Sequence, residues 1–126
     1  MSKLPTKFDS IINEKASACY TTTLTDENGV AIPSGSIDTL TLTLSNVDDG
    51  TIVNSRDGQD VLNLNNVTVT SGGLLTYTIQ PLDTVIVDNT KDYETHRATF
   101  EMNFNSGVSY GNWDVDLMIR NLSKVT

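Results

Sequence analysis

The sequence predicts an all-β fold: a single antiparallel β-sandwich of about seven strands, preceded by an extended N-terminal arm. Three observations carry this. Between Ile37 and Ser45, Leu40, Leu42 and Leu44 alternate with Thr39, Thr41 and Thr43, the period of two that puts one set on a dry face and the other on a wetter one. Turn chemistry recurs at short intervals, at Asn28-Gly29, Asp49-Gly50 and Gly72-Gly73, because Gly and Asn tolerate positive φ. No segment shows the sustained 3.6-residue apolar stripe of a long helix.

Taken in order, residues 1 to 15 lack strand alternation. They read as an arm, with one helical turn expected over Asp9–Lys15. The arm carries Lys3, Lys7 and Lys15, three of the eight basic residues, together with the apolar Leu4 and Phe8. Residues 16–126 form the sandwich domain. Tyr20–Thr25 reads as its first strand, and Pro33 with Gly35 marks a loop or sheet edge. Ile37–Ser45 and Thr51–Asn54 then read as a hairpin through Asp48-Asp49-Gly50.

Val61–Asn66 fits a short helix or a loop equally well. Val67–Thr70 and Leu75–Gln80 are strands across Ser71-Gly72-Gly73. Pro81 suits the first position of a helical turn that opens a crossover. His96–Asn105 turns Ala98, Phe100, Met102 and Phe104 inward, and the closing strand aligns Trp113, Val115, Leu117 and Ile119. Strands of this number and spacing favour a sandwich of the immunoglobulin or fibronectin kind, with a closed barrel as the alternative.

Composition narrows the function. Eight basic against sixteen acidic residues give a net charge of -8, which phosphate and anionic membranes repel. Neither nucleic acid nor membrane is expected as a partner, whereas a basic surface on a larger assembly would attract this chain. No run of about 18 apolar residues is present, and the N-terminus lacks the apolar stretch of a secretory signal. The single cysteine, Cys19, excludes an internal disulfide and a Cys-rich zinc site; it is expected to be a buried strand thiol.

Catalytic chemistry finds little purchase. His96 is the only histidine, so a Ser-His-Asp or Cys-His arrangement must use it, and no Gly-x-Ser-x-Gly elbow is present. A strand-end His bonded to its neighbours is the expected role. Asp114 and Asp116 share a strand face, as exposed alternation produces without catalysis. The acidic turns at Asp26–Gly29, Asp48–Gly50 and Asp57–Asp60 offer oxygen ligands, yet none matches an EF-hand loop. No catalytic, cofactor-binding or metal-binding residue is therefore assigned.

Three stretches together carry a resemblance. They are Leu40–Leu44 followed by Gly50–Asn63, with its Arg56-Asp57-Gly58-Gln59-Asp60 segment; Gly73–Asp83; and Glu94–Glu101. The chain resembles small immunoglobulin-like structural proteins of tailed bacteriophages, over roughly residues 18 to 122. The resemblance implies a virion component made in the bacterial host cytoplasm. Its expected function is capsid decoration, as a cement protein on the outer surface of the head; a neck or tail component is the alternative from the same particle. The implied partners are the major capsid protein or other virion proteins, with self-association on the particle a further expectation.

Leu4, Lys7 and Phe8 of the arm, and Arg56 and Asp57 of the loop, are the candidate contacts. Arg56 is also expected to fix its loop by pairing with Asp57 or Asp60. Removing residues 1 to 15 is expected to abolish shell binding and leave the fold intact. A carbohydrate- or receptor-binding module is the reading from a different class; it would need exposed aromatics, for which Tyr93, Tyr110 and Trp113 are available, though Trp113 alternates with the core set.

Overall fold

The computed structural model describes residues 6–124. Among these described residues nine strands form two sheets. They are β1 (Thr6–Lys7), β2 (Ile12–Asn13), β3 (Ala18–Thr23), β4 (Ile37–Asn46), β5 (Gln59–Asp60), β6 (Val67–Val69), β7 (Leu74–Ile79), β8 (Tyr93–Phe104) and β9 (Ser109–Arg120). The larger sheet runs β1-β9-β8-β4-β5, with β2 also on β9, and the smaller runs β3-β7-β6. With β9, β8 and β4 in the positions of strands G, F and C, and β3, β7 and β6 in those of B, E and D, this is the connectivity of an immunoglobulin-like sandwich. Among the described residues no helix is long and apolar enough to cross a membrane.

Strict alternation makes the core. Leu40, Leu42 and Leu44 of β4 are fully buried, as are Leu75, Tyr77 and Ile79 of β7 and Val115, Leu117 and Ile119 of β9. These inward rows close on one another between the sheets, removing apolar surface from water at about 25 cal/mol per Å2. The β8–β9 hairpin keeps unbroken register from Tyr93 opposite Arg120 to Phe104 opposite Ser109. Pro81 opens a 3-10 turn, Pro81–Thr84, capped at Gln80 by a reciprocal pair of side-chain bonds with Asp83.

Several expectations are corrected. Residues 9–15 form no helical turn: Ile12 and Asn13 bridge in parallel to Ile119 and Arg120. The described part of the arm packs on β9. Thr6 lies opposite Val115, Phe8 N–H donates to Asp116 at 2.9 Å, and Ile12 is buried. Thr51–Asn54 is no strand; a single bridge joins Ser45 to Ile52 before Asn54 and Ser55 turn into positive φ. The edge beyond β4 is supplied by Gln59–Asp60. Cys19 is exposed, because on β3 it is Ala18, Tyr20 and Thr22 that face inward.

Candidate functional site

Two features surround the residues singled out in the sequence: a surface groove along the N-terminal segment and a buried polar lock at the opposite lateral edge. The groove forms because β1 is only two residues long. After Lys7 the chain bends away, and Phe8–Ile11 arches over β9 before returning as β2. Beneath the arch lies a groove of about 200 Å3 lined by Lys7, Phe8, Ile11, Thr95, Asp116 and Met118. Phe8 is half-buried and meets Tyr20 of β3 edge-on, with ring centroids 6.5 Å apart.

Ile11 and Met118 remain 55% and 42% exposed, so the groove presents apolar surface beside the Lys7 ammonium. Its far wall is rigid: Arg97 forks onto Asp116 through Nε at 2.8 Å and Nη2 at 3.1 Å. Asp116 is thus engaged in an ion pair with Arg97.

The lock centres on Arg56 and Asp83. Arg56 Nε donates to Asp83 Oδ1 at 2.6 Å and Nη2 to Oδ2 at 3.2 Å. The remaining guanidinium hydrogens reach Gln59 Oε1 at 2.7 Å, the Asn65 carbonyl at 3.1 Å and Asn66 Oδ1 at 2.9 Å. Asp83 also accepts from Asn54 Nδ2, the Tyr77 hydroxyl and the Gln80 N–H, each at 2.8 Å. Burial alone would push the Asp83 carboxyl up, but these donors outweigh it and hold its pKa below the usual carboxylate value. The Tyr77 hydroxyl is pushed up, by burial first and then by the adjacent Asp83 charge.

The lock explains the loop. Asn54, Ser55, Asn63, Asn65 and Asn66 all have positive φ, a conformation that Asn tolerates better than most side chains. Arg56 ties both ends of this winding segment to the turn after β7. The pairing expected with Asp57 or Asp60 is corrected: the partner is Asp83, and Asp57 is exposed. With Arg56 only 2% exposed, its guanidinium offers no surface for a partner.

His96 lies against the same turn. Nδ1 is 2.9 Å from the Asp83 carbonyl and Nε2 is 2.5 Å from Glu94 Oε2. Both neighbours are oxygens, so each ring nitrogen needs a hydrogen, on the ring or, at Nε2, on the carboxyl. Glu94 further accepts from Val87 and Asp88 N–H, both at 2.8 Å. His96 and Glu94 are buried, and their polar groups fix the crossover to the strand.

Glu94 and Asp83 were not found as partners in the sequence. Pro81 two residues after Ile79, with Asp83 at the third turn position, is a readable capping signal; the link from Asp83 to Arg56 has none.

The remaining candidates fall elsewhere. Leu4 lies outside the described residues. Asp26 and Asp49 turn their carboxylates onto their own loops, at Asn28 and Val30 N–H and at Thr51 N–H. Among the described residues no three His, Cys, Asp or Glu side chains are grouped to hold a metal. Trp113, expected in the core, is half-buried; with Tyr110, Phe104, Asp26 and Glu27 it lines a small cleft at one end of the sandwich. Comparison of the chain with protein-family models, with curated proteins and with solved structures finds no match to any of them.

Proposed function

We propose that this chain is a structural protein of a tailed-phage virion that decorates the outer capsid surface and stabilises the shell. The observation that supports this best is the N-terminal groove. Phe8, Ile11 and Met118 offer apolar surface beside Lys7 on a segment held by a rigid sheet. Lys7 and Phe8 are the described contacts of this reading; Leu4 and Asp57 are proposed with them, and Arg56 is replaced by its role in the lock. The net charge of -8 suits a basic partner surface. A ligand that binds the assembled shell and not its separated subunits stabilises the shell by mass action.

The test is the copy number of this chain in purified particles, by quantitative mass spectrometry against the major capsid protein. A number comparable to that of the capsid protein supports decoration. A number matching one ring of subunits moves the protein to the neck or tail, and absence from particles overturns the reading.

A second reading, a carbohydrate- or receptor-binding module, is favoured by one observation: Trp113 and Tyr110 open on a common cleft with Asp26 and Glu27. Aromatic faces beside carboxylates suit sugar rings and their hydroxyls. A change in the fluorescence of the only tryptophan on adding bacterial surface glycans would support it.

A further inference from the structure

The sandwich has four lateral sheet edges, and three are blocked. At β6 the outward N–H groups of Val67 and Val69 are taken by the Leu64 carbonyl at 3.2 Å and by Asn63 Oδ1 at 2.7 Å. At β5, only Gln59–Asp60 is paired to the sheet, and Asn65 Nδ2 covers the Asp60 carbonyl at 2.9 Å. At the β9 side, β1 and β2 are two residues each, separated by the arch at Asp9–Ile11. The fourth edge, β3, is six residues long and carries no charge, proline or bulge, the devices by which an edge is usually protected.

The direction of its free groups follows from the ladder. Thr78 N–H donates to the Asn66 carbonyl on the β6 side, so the peptide groups of Leu75, Tyr77 and Ile79 face β3. Their partners are Thr22, Tyr20 and Ala18. The N–H and C=O of Cys19, Thr21 and Thr23 therefore point outward, and among the described residues nothing pairs with them. The inward side chains of this strand, Ala18, Tyr20 and Thr22, are only half-buried, whereas those of β7 are fully buried. Beside them a cleft between Lys7–Asp9 and Cys19–Thr21 stays open.

We infer that β3 is a strand-pairing edge for a second copy of this chain, joined antiparallel about a two-fold axis through Thr21. Directly opposed residues must share a face and turn their peptide groups toward one another. The register that meets both conditions with the most pairs places Thr21 opposite Thr21 of the other copy and Cys19 opposite its Thr23. Each of those pairs then exchanges both main-chain hydrogen bonds, and each Tyr20 meets the other copy's Thr22 on the inward face.

The uncharged edge admits a second copy, and its residues pair with themselves in register. Two chains of net charge -8 repel in general, but Ala18–Thr23 brings no charge to the contact. The outer face continues across the junction as an uncharged row of Thr21, Thr23, Thr76, Thr78 and Thr68. Such an interface is isologous and closes at two copies, rather than growing into a fibre.

The inference does not depend on the virion reading, since a dimer in solution and a copy number in particles can each fail alone. It is tested on the full chain by sedimentation up to millimolar concentration and by single-cysteine crosslinking. A species of twice the chain mass is expected. Thr21→Pro should return it to the monomer with the circular dichroism spectrum unchanged, because the N–H removed is one that β7 does not use.

In a Cys19→Ser background, Thr21→Cys should oxidise to a disulfide-linked dimer at least tenfold faster than Thr68→Cys on the same outer face. A chain that stays monomeric at millimolar concentration, or equal crosslinking at positions 21 and 68, overturns the inference. A dimer that survives Thr21→Pro places the contact on another surface and overturns it equally.

Discussion

Arg56 Nε lies 2.6 Å from Asp83 Oδ1, so two residues 27 apart in sequence close the sandwich at its β5–β6 side. Both side chains are removed from water, with exposures of 3% and 0%. Charges taken out of water cost more than their mutual attraction returns unless hydrogen bonds satisfy the rest of each group. Here they do: every remaining arm of the guanidinium and both carboxylate oxygens have partners. Removing one member leaves the other buried and uncompensated. Asp83→Ala is expected to lower the unfolding free energy by about 3–5 kcal/mol. Replacing both members with apolar residues should cost less than Asp83→Ala alone. Urea unfolding of the two single variants and the double variant gives the coupling directly.

The same cluster makes the stability of the fold depend on pH at both ends. The carboxyl of Asp83 titrates lower in the folded protein than its ordinary value of 3.8. Its contribution is therefore fully present above that value and is lost as pH falls through the lower folded value. Tyr77 behaves oppositely at the alkaline end. Its hydroxyl titrates above the ordinary 10.0 when folded, so the unfolded chain releases that proton first and stability declines as pH rises past 10.0. Thermal midpoints across pH should show a plateau with shoulders at both ends. Tyr77→Phe should remove the part of the alkaline shoulder due to this hydroxyl, and lower the plateau by leaving Asp83 one donor short.

The N-terminal segment contributes to stability as well as offering a contact surface, and this changes how it must be tested. Removing residues 1 to 15 would strip buried Ile12 from the core and the bridges at Val115, Asp116, Ile119 and Arg120 from β9. A buried Ile truncated to Ala costs about 2–5 kcal/mol, so the fold is not expected to survive that deletion unharmed. Lys7→Glu and Ile11→Asp alter the groove at exposed positions instead. On the proposed function, each should weaken binding to isolated capsid shells at least tenfold, with the urea midpoint held nearly constant. Unchanged binding would remove the groove from the contact surface.

Much of the fold was legible because the core is built on alternation. Leu40–Leu44, Leu75–Ile79 and Ala98–Phe104 each declared a dry face, and each face is buried as read. Failures occurred where partners, not patterns, decide. Ile12–Asn13 is a strand only because β9 is beside it, and two residues carry no period. Cys19 was expected to be buried, but β3 is an edge whose phase is set by β7. At the lock, Asp83 and Arg56 meet through long-range packing, which local sequence does not encode. Trp113 has the parity of a core residue, but it precedes Val115, where β1 begins to flank β9, and it lines an open cleft.

Trp113 also provides the sharpest local probe. A Cβ placed on Gly111 would lie 2.8 Å from Cη2 of the Trp113 indole, closer than atoms tolerate. The neighbour is a side chain, and the Gly111 backbone does not lie in the positive-φ region, so Gly111→Ala should fold after the indole swings outward. Overpacking of this kind costs about 1–3 kcal/mol. Gly73 presents the harder case. Its φ is +86, and a Cβ there would meet the backbone carbonyl oxygen of Ile32 at 2.8 Å, on a chain that also hydrogen-bonds Leu24. Neither the strain nor the clash can be relieved by a rotamer change, so Gly73→Ala should destabilise more than Gly111→Ala. Emission from the single tryptophan separates the two mechanisms. Gly111→Ala should shift the native spectrum to the red with the transition intact, whereas Gly73→Ala should leave the native spectrum in place and lower the unfolding midpoint. A native spectrum unmoved by Gly111→Ala would mean that the indole does not rest on that glycine.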